Sequence, residues 1–119
     1  MITHVKFVSI PTRDQDRALA FYTEKLGFRV LTDQPLDASR RWIELRIGTS
    51  DTRVVLFKMD EQGVGGDFHG ALACDNVERT YEDLKSRGVE FVSPPKKEPW
   101  GTFAIMKDVD GNEFVLSTK

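Results

Sequence analysis

The chain has 119 residues, with 17 Lys and Arg against 19 Asp and Glu, for a net charge of −2. Hydrophobic residues make up 39% and charged residues 30%, the proportions of an ordinary globular chain of one-domain size. That balance excludes capture of nucleic acid or membrane by bulk charge, no apolar run approaches the ~18 residues of a spanning helix, and lone Cys74 cannot close an internal disulfide, so a soluble cytoplasmic protein is expected.

Residues 4–12 are β-branched and aromatic and predict a strand closed by Pro11. Residues 14–26 follow as a helix, with Leu19, Tyr22 and Leu26 on one stripe and Gly27 at its end. Phe28 to Leu31 starts a second strand. Arg41–Ile47 alternates, with Ile43, Leu45 and Ile47 on one face and Trp42, Glu44 and Arg46 on the other. Val54 to Phe57 is apolar without alternation, as expected of a strand covered on both faces. Residues 60–67 form a polar, glycine-rich joint; no lysine follows its glycines, so it is no phosphate loop.

After the joint the order repeats. His69–Cys74 is strand-like, and Asp75 with Glu78 three residues on is a capping-box signal. Val77, Tyr81 and Leu84 stripe a second helix that Gly88 stops. Val89–Val92 is a strand, Pro94-Pro95 a break, Trp100–Met106 a strand, 108–112 a turn, and Glu113–Ser117 the last strand. Each half therefore reads strand–helix–three strands. A single domain over 1–119 is expected, built of one module at about 1–59 and a second at about 68–119.

Three segments carry a family resemblance. Asp16 to Phe28 resembles the opening module of the vicinal oxygen chelate superfamily, and His69 to Val77 the strand that opens its second module. Asp108-Val-Asp-Gly-Asn-Glu-Phe114 resembles the family's Asp-Pro-Asp-Gly-Asn turn, with Val109 in place of proline. The superfamily includes glyoxalase I, extradiol dioxygenases, fosfomycin-inactivating thiol transferases and bleomycin-binding resistance proteins. The resemblance implies an α+β fold: tandem βαβββ modules forming a cup-shaped mixed sheet, helices on its outer face and ligand in its concave one. By alternation Ile43, Leu45, Ile47, Phe114 and Leu116 should lie beneath the helices. Trp42, Glu44, Arg46, Glu113, Val115 and Ser117 should face the ligand, as should His69, Ala71 and Ala73.

Metal-dependent members carry one His or Glu on the first, fourth, fifth and last strands. Carried across, those positions fall at Phe7, at Leu56 or Phe57, at His69 and at Val115, of which only His69 can ligate. His4 lies three residues from Phe7, an odd offset that points it to the opposite face of a regular strand. No metal or other cofactor is therefore expected. The departure from that expectation would be a divalent ion held by His69, Glu113 and Glu44.

Two functions stay open. One is a metal-independent protein that binds a small organic molecule, as bleomycin resistance proteins do. Phe7, Trp42, Phe57, Trp100 and Val115 would be its apolar walls, with Glu44, Arg46, His69 and Glu113 fixing orientation. The other is a lyase, isomerase or dioxygenase using His69, with Glu113, as base or metal ligand. The net charge of −2 is weak for capturing a strongly cationic drug. Arg40 and Arg41 read as loop charges or as oxyanion holders, and Cys74 as a structural thiol. A homodimer is expected, because modules of this size expose sheet edges that a partner can cover.

Overall fold

The computed structural model describes residues 1–60 and 68–119; the joint expected at 60–67 falls, Asp60 apart, outside them. The chain divides into two compact units, Met1–Val64 and Gly65–Lys119. The first contains β1 (Phe7–Thr12), α1 (Gln15–Ala20), a π-helical turn (Phe21–Lys25), β2 (Arg29–Pro35), β3 (Arg41–Arg46) and β4 (Arg53–Lys58). The second contains β5 (His69–Cys74), α2 (Val77–Ser86), β6 (Glu90–Glu98), β7 (Gly101–Lys107) and β8 (Glu113–Thr118). Each unit is a four-stranded mixed sheet of one plan: β1-β4-β3-β2 in the first and β5-β8-β7-β6 in the second. In both, the opening strand runs parallel to the last, and the other pairs are antiparallel.

Alternation sets which face is buried. In β3, Ile43 and Leu45 are fully buried while Arg41, Trp42, Glu44 and Arg46 are half-buried; in β8, Phe114 and Leu116 are buried between half-buried Glu113, Val115 and Ser117. The buried sets form the helix-covered face of each sheet. In the first unit α1 packs on β4, and Ala18, Phe21 and Tyr22 join Ile10, Leu45 and Leu56 in the core. In the second α2 packs on β6, β7 and β8, with Val77 and Leu84 buried beside Ala104 and Met106. Each fully buried Leu, Ile or Phe contributes about 1.5–3 kcal/mol of transfer free energy. Val54, Val55 and Leu56 are all buried, so β4 is covered on both faces as its unbroken apolar run predicts.

The structure departs from the sequence reading in several places, and Ile47, expected beneath the helices, lies just past the end of β3 and is only half-buried. The first helix is α-helical for only six residues and then widens over Phe21–Lys25, where the Leu26 N–H donates to the Phe21 carbonyl at 3.4 Å; the Phe28 N–H closes the end on the Tyr22 carbonyl at 2.9 Å. The buried stripe runs through Gln15, Ala18, Phe21 and Tyr22, while Leu19 and Leu26 are only half-buried. The second helix is capped by Asn76, whose side chain accepts the Arg79 N–H at 3.0 Å. Asp75 lies one residue too early and pairs instead with Lys119 at 2.6 Å. Pro94-Pro95 does not break the chain, because β6 runs through both. It is an edge strand whose register shifts between Ser93 and Lys96, so the missing proline N–H groups cost no ladder bond.

Candidate functional site

The face of the first sheet opposite α1 is built by β1, β4 and β3. Register places Phe7 beside Arg53, Ser9 beside Val55, and Val55 beside Glu44. Trp42, Glu44 and Arg46 project to this side at every second residue of β3. Phe7 and Trp42 meet edge to face, with ring centroids 5.5 Å apart and planes at 84°. Phe57 shares the parity of Val55 and carries the Arg40 guanidinium 5.5 Å above its ring.

Glu44 is the electrostatic centre of this face. One carboxylate oxygen accepts the Trp42 indole N–H at 3.2 Å and the other accepts Arg53 Nη1 at 2.8 Å. The Arg53 hydrogen bond, helped by the Trp42 N–H, holds the Glu44 carboxyl below the usual carboxylate range against the opposing effect of burial. A carboxylate so engaged is a poor general base and an unwilling metal ligand. Arg53 escapes sequence reasoning because it follows the polar turn Asp51-Thr52 and reads as loop charge. Its even offset from Val55 is the signal that places it here.

In the second sheet the corresponding face carries His69, Ala71 and Ala73 of β5, all exposed, beside half-buried Glu113, Val115 and Ser117 of β8. His69 lies directly across from Glu113, and Glu113 from Lys107 of β7. Trp100 is 62% exposed in the turn before β7, its ring stacked on Phe103 at 5.8 Å with planes 21° apart. Gly101 adopts φ +147°, and a Cβ there would meet Thr118 at 3.0 Å.

The metal positions implied by the resemblance can be compared in the two sheets by register. Phe7 and His69 both begin the opening strand; Ser9 pairs with Val55 as Ala71 pairs with Val115. Val55, rather than Leu56 or Phe57, is thus the counterpart of Val115, and Leu56 points into the helix-side core. Phe7, Val55 and Val115 carry no donor atom, so the family's four-ligand metal set does not fit this chain. Among the described residues no group of three or more His, Cys, Asp or Glu is placed to hold a metal ion. His4 is exposed, outside β1, with Nδ1 3.0 Å from the Thr3 hydroxyl.

Other candidates have structural partners. A cleft of about 520 Å³ lies in the first unit between the β2–β3 hairpin, the start of α1 and Lys58. Two of its guanidiniums are engaged in ion pairs: Arg40 with Asp37 at 2.7 Å, and Arg41 with both Asp33 and Asp16. Arg41 therefore braces the hairpin against α1. Cys74 is half-buried and burial pushes its thiol up, away from nucleophilic character. In the 108–112 turn, Asp108 accepts the backbone N–H groups of Asp110 and Asn112, each at 2.9 Å, and the Asn112 amide at 2.8 Å. The motif thus builds the β7–β8 connection. No helix among the described residues is long and apolar enough to cross a membrane.

Known proteins share this plan. The chain is 36% identical to UcmS2 over the full length of both, with a TM-score of 0.91. It is 36% identical to TnmS3, an antibiotic binding protein from Streptomyces sp. CB03234, covering 98% of this chain and 96% of that one at a TM-score of 0.87. It is 34% identical to the uncharacterized protein YetH of Bacillus subtilis (strain 168) over 98% of each chain. The doubled strand–helix–three-strand plan and a family pattern matched over residues 2–116 agree: the chain belongs to the Glyoxalase/Bleomycin resistance protein/Dioxygenase superfamily.

Proposed function

We propose that this protein binds a small organic molecule on the helix-free faces of its sheets, without the four-ligand metal site of the family's metalloenzymes. The observation that carries the reading is the Phe7–Trp42 pair, an aromatic wall standing beside Glu44 and Arg46 where a metalloenzyme would hold its first ligand. Flat apolar surface with a few fixed polar groups is what a small-molecule site requires. Likeness to an antibiotic binding protein supports binding rather than turnover. Phe57 extends the apolar lining of the first sheet; on the second sheet's own face Val115 and Trp100 are the apolar groups and His69 and Glu113 the polar ones that would orient a ligand. The half-buried lone thiol of Cys74 suits a reducing cytoplasm. Exposed apolar side chains on edge strands, Val8 of β1 and Val30 and Leu31 of β2, suit a homodimer.

The pairing of His69 with Glu113 favours one second reading, an enzyme that uses the imidazole as base or metal ligand. Elemental analysis and calorimetric titration with Mn, Fe, Ni and Zn ions separate the two. The binding reading expects no stoichiometric metal, and thermal-shift screening of small molecules should then raise the melting temperature. Stoichiometric metal that disappears in His69→Ala would sink it. Light scattering that shows a monomer at tens of micromolar would count against the dimer.

A further inference from the structure

Each sheet carries one cross-strand row at the same place in its register. In the second sheet the row reads His69, Glu113, Lys107 and Glu90 across β5, β8, β7 and β6. From Glu113 through Lys107 to Glu90 its charges alternate, so each has an opposite neighbour in the register. In the first sheet the same row reads Phe7, Arg53, Arg46 and Arg29 across β1, β4, β3 and β2. Three arginines occupy neighbouring positions of the row. Like charges directly opposite across a sheet destabilise it, and the second sheet shows that the plan does not require them.

Glu44 compensates only part of this row, because its ion pair is with Arg53. Arg46, half-buried between Arg29 and Arg53, makes no ion pair among the described residues. It projects to the same side as Trp42 and Glu44, four and two residues before it on β3. A guanidinium offers a planar fork of donors that matches a carboxylate with two parallel hydrogen bonds.

We propose that the bound molecule carries a carboxylate-type oxyanion held by Arg46, with Phe7 and Trp42 covering its flat apolar part. The inference rests on the reading of this face as the ligand face. It gives the uncompensated charge of the row a partner, and it accounts for Glu44 being turned toward Arg53 and Trp42, leaving Arg46 for the ligand.

The test is calorimetric titration of the full chain at low salt with 1-naphthoate and with 1-naphthamide, a neutral analogue of similar shape. The wild type should prefer naphthoate by about ten- to a hundredfold, the range of one charge-assisted contact. Arg46→Gln should abolish that preference by weakening naphthoate alone, and Arg46→Lys should keep part of it, having charge without the fork. Without ligand, Arg46→Gln should melt at the wild-type temperature or above, since it relieves repulsion. Equal binding of both probes by the wild type overturns the acidic-ligand inference while leaving the ligand face standing. Binding of neither overturns both. A fall of several degrees in the melting temperature of Arg46→Gln would mean that Arg46 serves a carboxylate of the protein, and overturns the inference too.

Discussion

Trp42 donates its indole N–H to the Glu44 carboxylate at 3.2 Å, from two residues away on the same face of β3. With Arg53 on the other carboxylate oxygen, this fixes both the ring and the acid. The arrangement has a pH signature. The folded Glu44 carboxyl lies below its ordinary value, so its contribution is fully present above the unfolded value of about 4.3 and is lost as pH falls through the folded one. Glu44→Gln should therefore lower stability at pH 7, and the difference from wild type should shrink below about pH 4. Arg53 is about half exposed, so the loss should be only about 0.5–1 kcal/mol. Urea unfolding of both proteins from pH 3 to 7 measures it, and a difference that grows in acid would contradict the assignment.

The two tryptophans should behave differently. Trp42 is half-buried, wedged against Phe7 and hydrogen-bonded, so Trp42→Ala should cost about 2–3 kcal/mol. Trp100 is largely exposed and touches Phe103 only through its face, so Trp100→Ala should change stability by no more than about 0.5 kcal/mol. If Trp100 stacks on the ligand, the same variant should weaken several-fold any molecule found by thermal shift. Unchanged affinity would remove Trp100 from the site.

Gln15 ties the first helix to the sheet. Its amide donates to the carbonyls of Arg41 and Leu56 at 2.7 and 2.9 Å and accepts the Arg41 N–H at 2.9 Å, with the residue only 5% exposed. Gln15→Leu fills similar volume but strands these backbone groups, so it should cost about 2–4 kcal/mol in urea unfolding. A loss under 1 kcal/mol would mean that water replaces the amide.

The helix–strand order and the faces of β3, β4, β5 and β8 were legible because alternation and apolar runs are local signals. Ile43 against Glu44, or Phe114 against Val115, needs no knowledge of neighbours. What was not legible depends on pairing. Glu44 meets Arg53 nine residues away only because β3 and β4 share a register, and the arginine row needs three such registers at once. Asp75 and Asn76 are both good caps by residue type, and the choice rests on where the helix starts: Val77 is its first residue, which puts Asn76 at the cap. Pro94-Pro95 looked like a break because edge position, which excuses the prolines, is a property of the sheet. The fourth-strand metal position that the resemblance implies falls, by counting residues, at Leu56 or Phe57. Register pairs Val55, not Leu56 or Phe57, as the counterpart of Val115, and none of these side chains carries a donor atom.

The doubled plan also makes a prediction about packing. Val8 pairs with Val54 in the first sheet at the position where Gly70 pairs with Phe114 in the second. The small and large residues compensate: a Cβ on Gly70 would come within 2.9 Å of the Phe114 ring and 3.2 Å of Phe68. Phe114 is 4% exposed and its ring lies 5.3 Å from that of Phe68, so it has little room to retreat. Gly70→Ala should therefore cost about 1–3 kcal/mol through overpacking. Phe114→Val alone should cost a similar ~1–3 kcal/mol by leaving a cavity. Combined, the two changes restore the valine partner found in the first sheet and remove the closer of the two contacts, so the double variant should be more stable than the sum of the single losses predicts, by about 1 kcal/mol or more. Urea unfolding of all four proteins closes the cycle. Strict additivity would show that Phe68, and not the bulk of Phe114, is what excludes a side chain at residue 70.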